Sequence, residues 1–86
     1  MLDYEVKWTG TAARCLEKMN NVDAKRILEK MELVSKNPFH YIKRLKGVPL
    51  YSLRTGKYRV IMSVERENLV ILVVDVGKRK NVYDDL

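Results

Sequence analysis

The run LVILVVDV at residues 69–76 is apolar at nearly every position. A strand of this kind has no face to give to water, so it belongs in the middle of a sheet with cover on both sides. The segment before it, YRVIMSVE (58–65), puts Tyr58, Val60, Met62 and Val64 on one face and Arg59, Ile61 and Ser63 on the other. That is the period of two expected of a half-buried strand. LYSLR (50–54) is a further short strand, and Thr55-Gly56-Lys57 makes the hairpin turn, with Gly56 free to take positive φ. Arg66-Glu67-Asn68 turns the chain into the apolar run. The second half of the chain is therefore a three-stranded meander.

The first half must supply the cover. YEVKW (4–8) alternates and reads as a strand. Thr9-Gly10-Thr11 breaks it, and either threonine can cap the helix that follows. Ala12, Ala13, Leu16 and Met19 recur at helical spacing. After Asn20-Asn21, the segment VDAKRILEKMELVSK (22–36) carries Ala24, Ile27, Leu28, Met31 and Val34 on one face and its charges on the other. Pro38 stops this helix near Asn37. FHYIKRLKGVP (39–49) reads as a loop with a partial turn. The expected fold is α+β, in the order β-α-α-β-β-β, with two N-terminal helices on one face of a small antiparallel sheet. At 86 residues it is one domain, 1–86.

Several chemistries are excluded. Cys15 and His40 are the only residues of their types, which argues against a disulfide framework, a zinc cluster and a Cys-His nucleophile pair. No metal and no cofactor is expected. No apolar run is long enough to span a bilayer, and no secretory leader opens the chain, so a cytoplasmic protein with no membrane partner is expected. Glu65, Glu67, Asp84 and Asp85 lie at a turn and at the terminus, where carboxylates are ordinarily solvated. His40, just after Pro38-Phe39, reads first as an exposed loop histidine.

Charge is distributed unevenly. The formal net charge is +6. Residues 1–35 hold six Lys/Arg against six Asp/Glu, and residues 36–86 hold eleven against five. Lys36, Lys43, Arg44, Lys46, Arg54, Lys57 and Arg59 fall in a stretch without a single acid. A field of one sign attracts polyanions. If Tyr58, Val60 and Met62 pack on the helices, Arg59 is on the open face of the sheet with Ile61 and Ser63, forming a shallow groove. Ser52 and Arg54 can join it there, with Lys46 and Lys57 near the hairpin ends. After the apolar run come Lys78, Arg79 and Lys80, then Tyr83. Arg79 and Tyr83 are four apart, a spacing that shares a face in either a helix or a strand. RNA cleavage needs a base for the 2′-hydroxyl, positive charge on the phosphate and an acid for the leaving 5′-oxygen. Arginine and lysine can meet these needs, and tyrosine can stack on an unpaired base.

The segments RLKGVPLYSLRTGKYRVIMSV (44–64) and LVILVVDVGKRKNVY (69–83) resemble the RelE/ParE toxin superfamily of toxin–antitoxin systems. The resemblance runs along nearly the whole chain. It implies a RelE-like fold and a toxin that enters the ribosomal A site and cuts mRNA, inhibiting translation. It implies as partners a cognate antitoxin and the ribosome, with its mRNA and small-subunit rRNA. By position it assigns Arg59 to the scissile phosphate, Arg79 to phosphate stabilisation or leaving-group protonation, and Tyr83 to base stacking. Arg54 matches a basic strand position that touches RNA, and Arg44, Lys46, Lys78 and Lys80 extend that surface. Leu50 and Ser52 stand where some members carry two lysines. The general base is then left to Lys46, Lys57 or Lys78, with Lys57 favoured. Met62 occupies a position that is aromatic in many members. Two other readings stay open: a ParE-type toxin that poisons DNA gyrase, and a degenerate toxin that only binds its antitoxin.

Overall fold

A computed structural model describes residues 3–78. Strand β1 (Glu5–Trp8) leads into helices α1 (Gly10–Lys18) and α2 (Asn21–Lys36) and a single-turn helix α3 (Pro38–Tyr41). Strands β2 (Lys43–Arg44), β3 (Tyr51–Thr55), β4 (Tyr58–Glu65) and β5 (Val70–Lys78) follow. They form one sheet in the order β1-β5-β4-β3-β2. The expected α+β layering is present. The sheet is antiparallel except at β1, which runs parallel to β5, with Glu5 opposite Val70 and Trp8 opposite Val73. A parallel neighbour needs a long crossover, and α1 and α2 provide it.

Local chemistry sets the helix ends. The Thr9 hydroxyl accepts from the Ala12 amide at 3.2 Å, and so caps α1. Asn20 caps α2 through the Asp23 amide at 2.9 Å. The helices lay Ala12, Ile27, Met31 and Val34 on one face of the sheet, against Leu53, Val60, Met62, Ile71, Val73 and Val76. Leu28 shares the helical period but faces outward and is 48% exposed. The apolar stripe is thus narrower than the spacing suggests.

Three further features depart from the sequence reading. The stretch 39–49 holds α3 and β2 as well as loop. Pro38 ends α2 but also opens α3, where a missing amide costs nothing, and its carbonyl accepts from the Ile42 amide at 3.1 Å. The bond from the Leu45 amide to the Leu50 carbonyl, at 2.9 Å, then closes the β2–β3 connection. Second, β5 continues past Val76, because Gly77 and Lys78 still pair with Arg59 and Tyr58. Third, Ile61 is fully buried although it faces away from the helices. The face that holds Arg59 is not bare along its length.

A bulge makes this register possible. Ile61 pairs with Asp75 and Met62 with Val73, which leaves Val74 as the extra residue. Without it, strict alternation would turn Asp75 into the core and Val76 out of it. With it, Val76 is 3% exposed in the core and Asp75 lies on the other face. The Thr9 hydroxyl donates to the Val74 carbonyl at 3.2 Å, and the Thr9 amide to the Val73 carbonyl at 3.0 Å. One residue therefore caps α1 and satisfies the bulge.

Candidate functional site

Cross-strand register assigns the face away from the helices residue by residue, since paired positions point the same way. One row reads Lys43, Ser52, Ile61, Asp75 across β2, β3, β4 and β5. The next reads Arg54, Arg59, Gly77. Toward the far end lie Ser63, Leu72 and Lys7, then Glu65, Val70 and Glu5. One end of the face is thus basic, its middle is mixed around the buried Ile61, and its other end carries carboxylates.

At the basic end Arg54 and Arg59 are direct partners across the β3–β4 hairpin. Arg54 is exposed and Arg59 half-buried. Like charges placed directly opposite each other destabilise a sheet. An anion lying between them would relieve that repulsion. Opposite Arg59 on its other side stands Gly77, which puts no side chain across from the guanidinium. Arg54 is the exposed member of this pair of arginines, and guanidinium groups suit bidentate binding of a phosphate.

The remaining candidates do not all converge. Lys57, in the two-residue turn after β3, lies with its Nζ 4.0 Å from Asp23 Oδ2 and 5.8 Å from the centre of the Tyr58 ring. It is directed toward α2, on the helix side. Arg44 pairs with Tyr51, and Lys78 with Tyr58, so both share the helix-side face. Lys46 is exposed in the loop between β2 and β3. Arg79, Lys80 and Tyr83 lie outside the described residues. Met62 is fully buried among the helix-facing residues, so its departure from an aromatic is a matter of packing.

Two residues on the Arg59 face went unassigned at the level of sequence. Lys43 is brought there by β2, a strand too short to leave a periodic signal. Asp75, diagonal to Arg59, is hidden in the sequence by the bulge, which strict alternation cannot anticipate. Its Oδ1 accepts from the Val76 amide at 2.9 Å. Among the described residues no group of three or more His, Cys, Asp or Glu could hold a metal ion.

The family model for the ParE toxin of type II toxin–antitoxin systems matches residues 6–83. A Methanocaldococcus jannaschii sequence assigned as toxin RelE4 is 29% identical over 87 residues, covering 93% of this chain and 90% of that protein. The RelBE2 toxin–antitoxin complex of Mycobacterium tuberculosis contains a chain similar to this one with a TM-score of 0.81. The two are 26% identical, and the alignment covers 91% of this chain and all of that one, or 100%. The archaeal RelE–RelB complex of Pyrococcus horikoshii gives a TM-score of 0.79 at 27% identity, covering 91% of this chain and 97% of its counterpart.

Proposed function

Because this chain belongs to the RelE/ParE superfamily and is a toxin of a type II toxin–antitoxin system, we propose that it is a ribosome-dependent endoribonuclease that cleaves mRNA in the A site. The observation that carries this reading is the row Arg54–Arg59–Gly77: two arginines that face each other across the hairpin, next to a glycine. The substrate's own 2′-hydroxyl attacks the adjacent phosphorus. The bond to the 5′-oxygen breaks, leaving a 2′,3′-cyclic phosphate on one fragment and a 5′-hydroxyl on the other. Arg59 holds the non-bridging oxygens, where negative charge grows in the transition state. Arg79 stabilises the phosphate or protonates the leaving oxygen, and Tyr83 stacks on a base. A lysine takes the proton from the 2′-hydroxyl. Lys57, Lys46 and Lys78 are the candidates; Lys57 and Lys78 lie on the helix side of the sheet, and Lys46 is in the β2–β3 loop.

The similar chain from M. tuberculosis comes from a toxin–antitoxin complex and that from P. horikoshii from a RelE–RelB complex, which supports a cognate antitoxin for this chain. An acidic segment would be drawn to the +6 surface and would stabilise the small domain by mass action.

The test is to map mRNA 5′ ends after induced expression. The wild-type chain should produce cuts within translated codons, and Arg59→Ala should abolish them while the protein stays folded. The matching family model describes ParE toxins, so a gyrase poison is the second reading. Growth arrest with intact mRNA and relaxed plasmid DNA would replace the first reading with the second.

A further inference from the structure

Next to the Arg54–Arg59 row, the sheet edge holds a cavity that shares Arg54 with it and is otherwise lined by residues to which the mechanism gives no role. Strand β2 pairs only with Tyr51 and Ser52. Among the described residues, no strand lies beside the outer edge of β3 beyond Ser52. A notch of about 230 Å³ opens there, lined by Lys30 of α2, His40 and Tyr41 of α3, Lys43 of β2, and Ser52 and Arg54 of β3. Three cations, an imidazole, a phenol and a serine hydroxyl meet without a carboxylate. Among the described residues, ion pairs form at Lys7–Glu5 and Lys57–Asp23, and not at Lys30, Lys43 or Arg54. Clustered cations with no counter-charge repel one another, and an anion relieves that repulsion.

The aromatic side of the notch narrows the class of anion. The His40 and Tyr41 rings meet edge to face, with centroids 4.8 Å apart, and Lys30 Nζ lies 5.2 Å from the centre of the Tyr41 ring. Cationic donors beside an aromatic surface are the combination that holds single-stranded nucleic acid, by phosphate contact and base stacking. The volume falls below the roughly 300 Å³ at which drug-sized pockets begin. It suits a phosphate with part of one nucleotide, not a larger ligand.

The notch is also continuous with the proposed cleavage row, because Arg54 belongs to both. With strands about 4.8 Å apart and a rise of about 3.3 Å per residue, the Lys43 and Arg59 Cα atoms are about 12 Å apart. That span is short enough for neighbouring nucleotides of one strand. We propose that this notch is a second RNA-phosphate subsite, with Lys43 and Lys30 as its phosphate ligands and His40 and Tyr41 as its stacking surface. The RNA identity of the ligand rests on the function proposed above.

The test is fluorescence anisotropy of a short fluorescein-labelled oligouridylate titrated with purified protein at several salt concentrations, for wild type, Lys43→Gln, Lys30→Gln and His40→Ala. Each glutamine variant should lower the slope of log K against log salt by about 0.7, the loss of one single-strand phosphate contact. His40→Ala should weaken binding with the slope unchanged, as expected for loss of stacking alone. Circular dichroism of each variant keeps misfolding separate from loss of the subsite. If Lys43→Gln and Lys30→Gln keep the wild-type slope while Arg59→Ala still abolishes mRNA cutting, the subsite is wrong and the nuclease reading stands. If the slopes fall as expected but the wild-type protein cuts no mRNA, the subsite stands and the nuclease reading fails. If the glutamine variants lose affinity for the acidic segment of the antitoxin and none for the oligouridylate, the notch is a protein-binding site and the proposal is overturned.

Discussion

Arg54 should cost the fold stability, and Arg54→Gln should return it. Arg54 is the direct cross-strand partner of Arg59 in β3 and β4, is exposed, and has no ion pair among the described residues. Facing cations destabilise a sheet pair by roughly 0.2–1 kcal/mol. Glutamine keeps much of the side-chain length and removes the charge, so the variant should gain about that amount. The domain as a whole is expected to be stable by about 4–13 kcal/mol, scaling by its length, so the gain is measurable. It corresponds to a urea midpoint raised by about 0.1–1 M and a Tm raised by about 1–8 °C. Salt gives the control. The Debye length falls from about 10 Å at 0.1 M to about 3 Å at 1 M, while facing backbone positions are only about 5 Å apart. The gain should therefore shrink in 1 M salt. Urea unfolding of wild type and variant at both salt concentrations makes the measurement. A variant less stable than wild type, or a gain unchanged by 1 M salt, would refute the claim that the two arginines repel. Greater stability combined with weaker RNA binding is what a functional charge pair predicts, since function is retained there at the expense of stability.

Three further outcomes follow from the packing. Thr9→Ala removes both the α1 cap and the donor to the Val74 carbonyl, and should cost about 1–3 kcal/mol in urea unfolding, with Thr9→Ser recovering most of it. Met62→Ala empties a fully buried site in the central layer and should cost about 2–5 kcal/mol, while leaving any RNA binding by the folded protein unchanged, because Met62 faces the helices. Leu69 has φ of +55°, a left-handed conformation that costs a branched residue about 1–2 kcal/mol. Leu69→Gly should thus be close to neutral by thermal unfolding, although truncating a leucine in the core would be strongly destabilising.

The fold was legible wherever periodicity was long enough to read. Strand β4 alternates over its whole length, and its two faces are the ones its sequence implies. Helix α2 shows its stripe and its asparagine cap. What escaped was short or broke the period: α3 with four residues, β2 with two, and the bulge in β5. The site follows the same pattern. Alternation can put Arg59 and Arg54 on one face, and the register of the hairpin makes them direct partners. Lys43 was visible only as one more cation in an acid-free stretch, and Lys30 and His40 belonged to elements that gave no reason to join them.

The amino-acid sequence by itself determined the layers, the meander and the sign of the charge, because these depend on local period and composition, which travel with the chain. Through its resemblance to a known superfamily, it also indicated what kind of protein this is. Tertiary structure alone decided which cations face one another. It made β1 a parallel neighbour of β5, since strand pairing between segments 65 residues apart leaves no local trace. It turned Lys57 toward Asp23 and drew Lys43 to the notch, because a side chain's surroundings are set by register between strands, and register is a property of the assembled sheet.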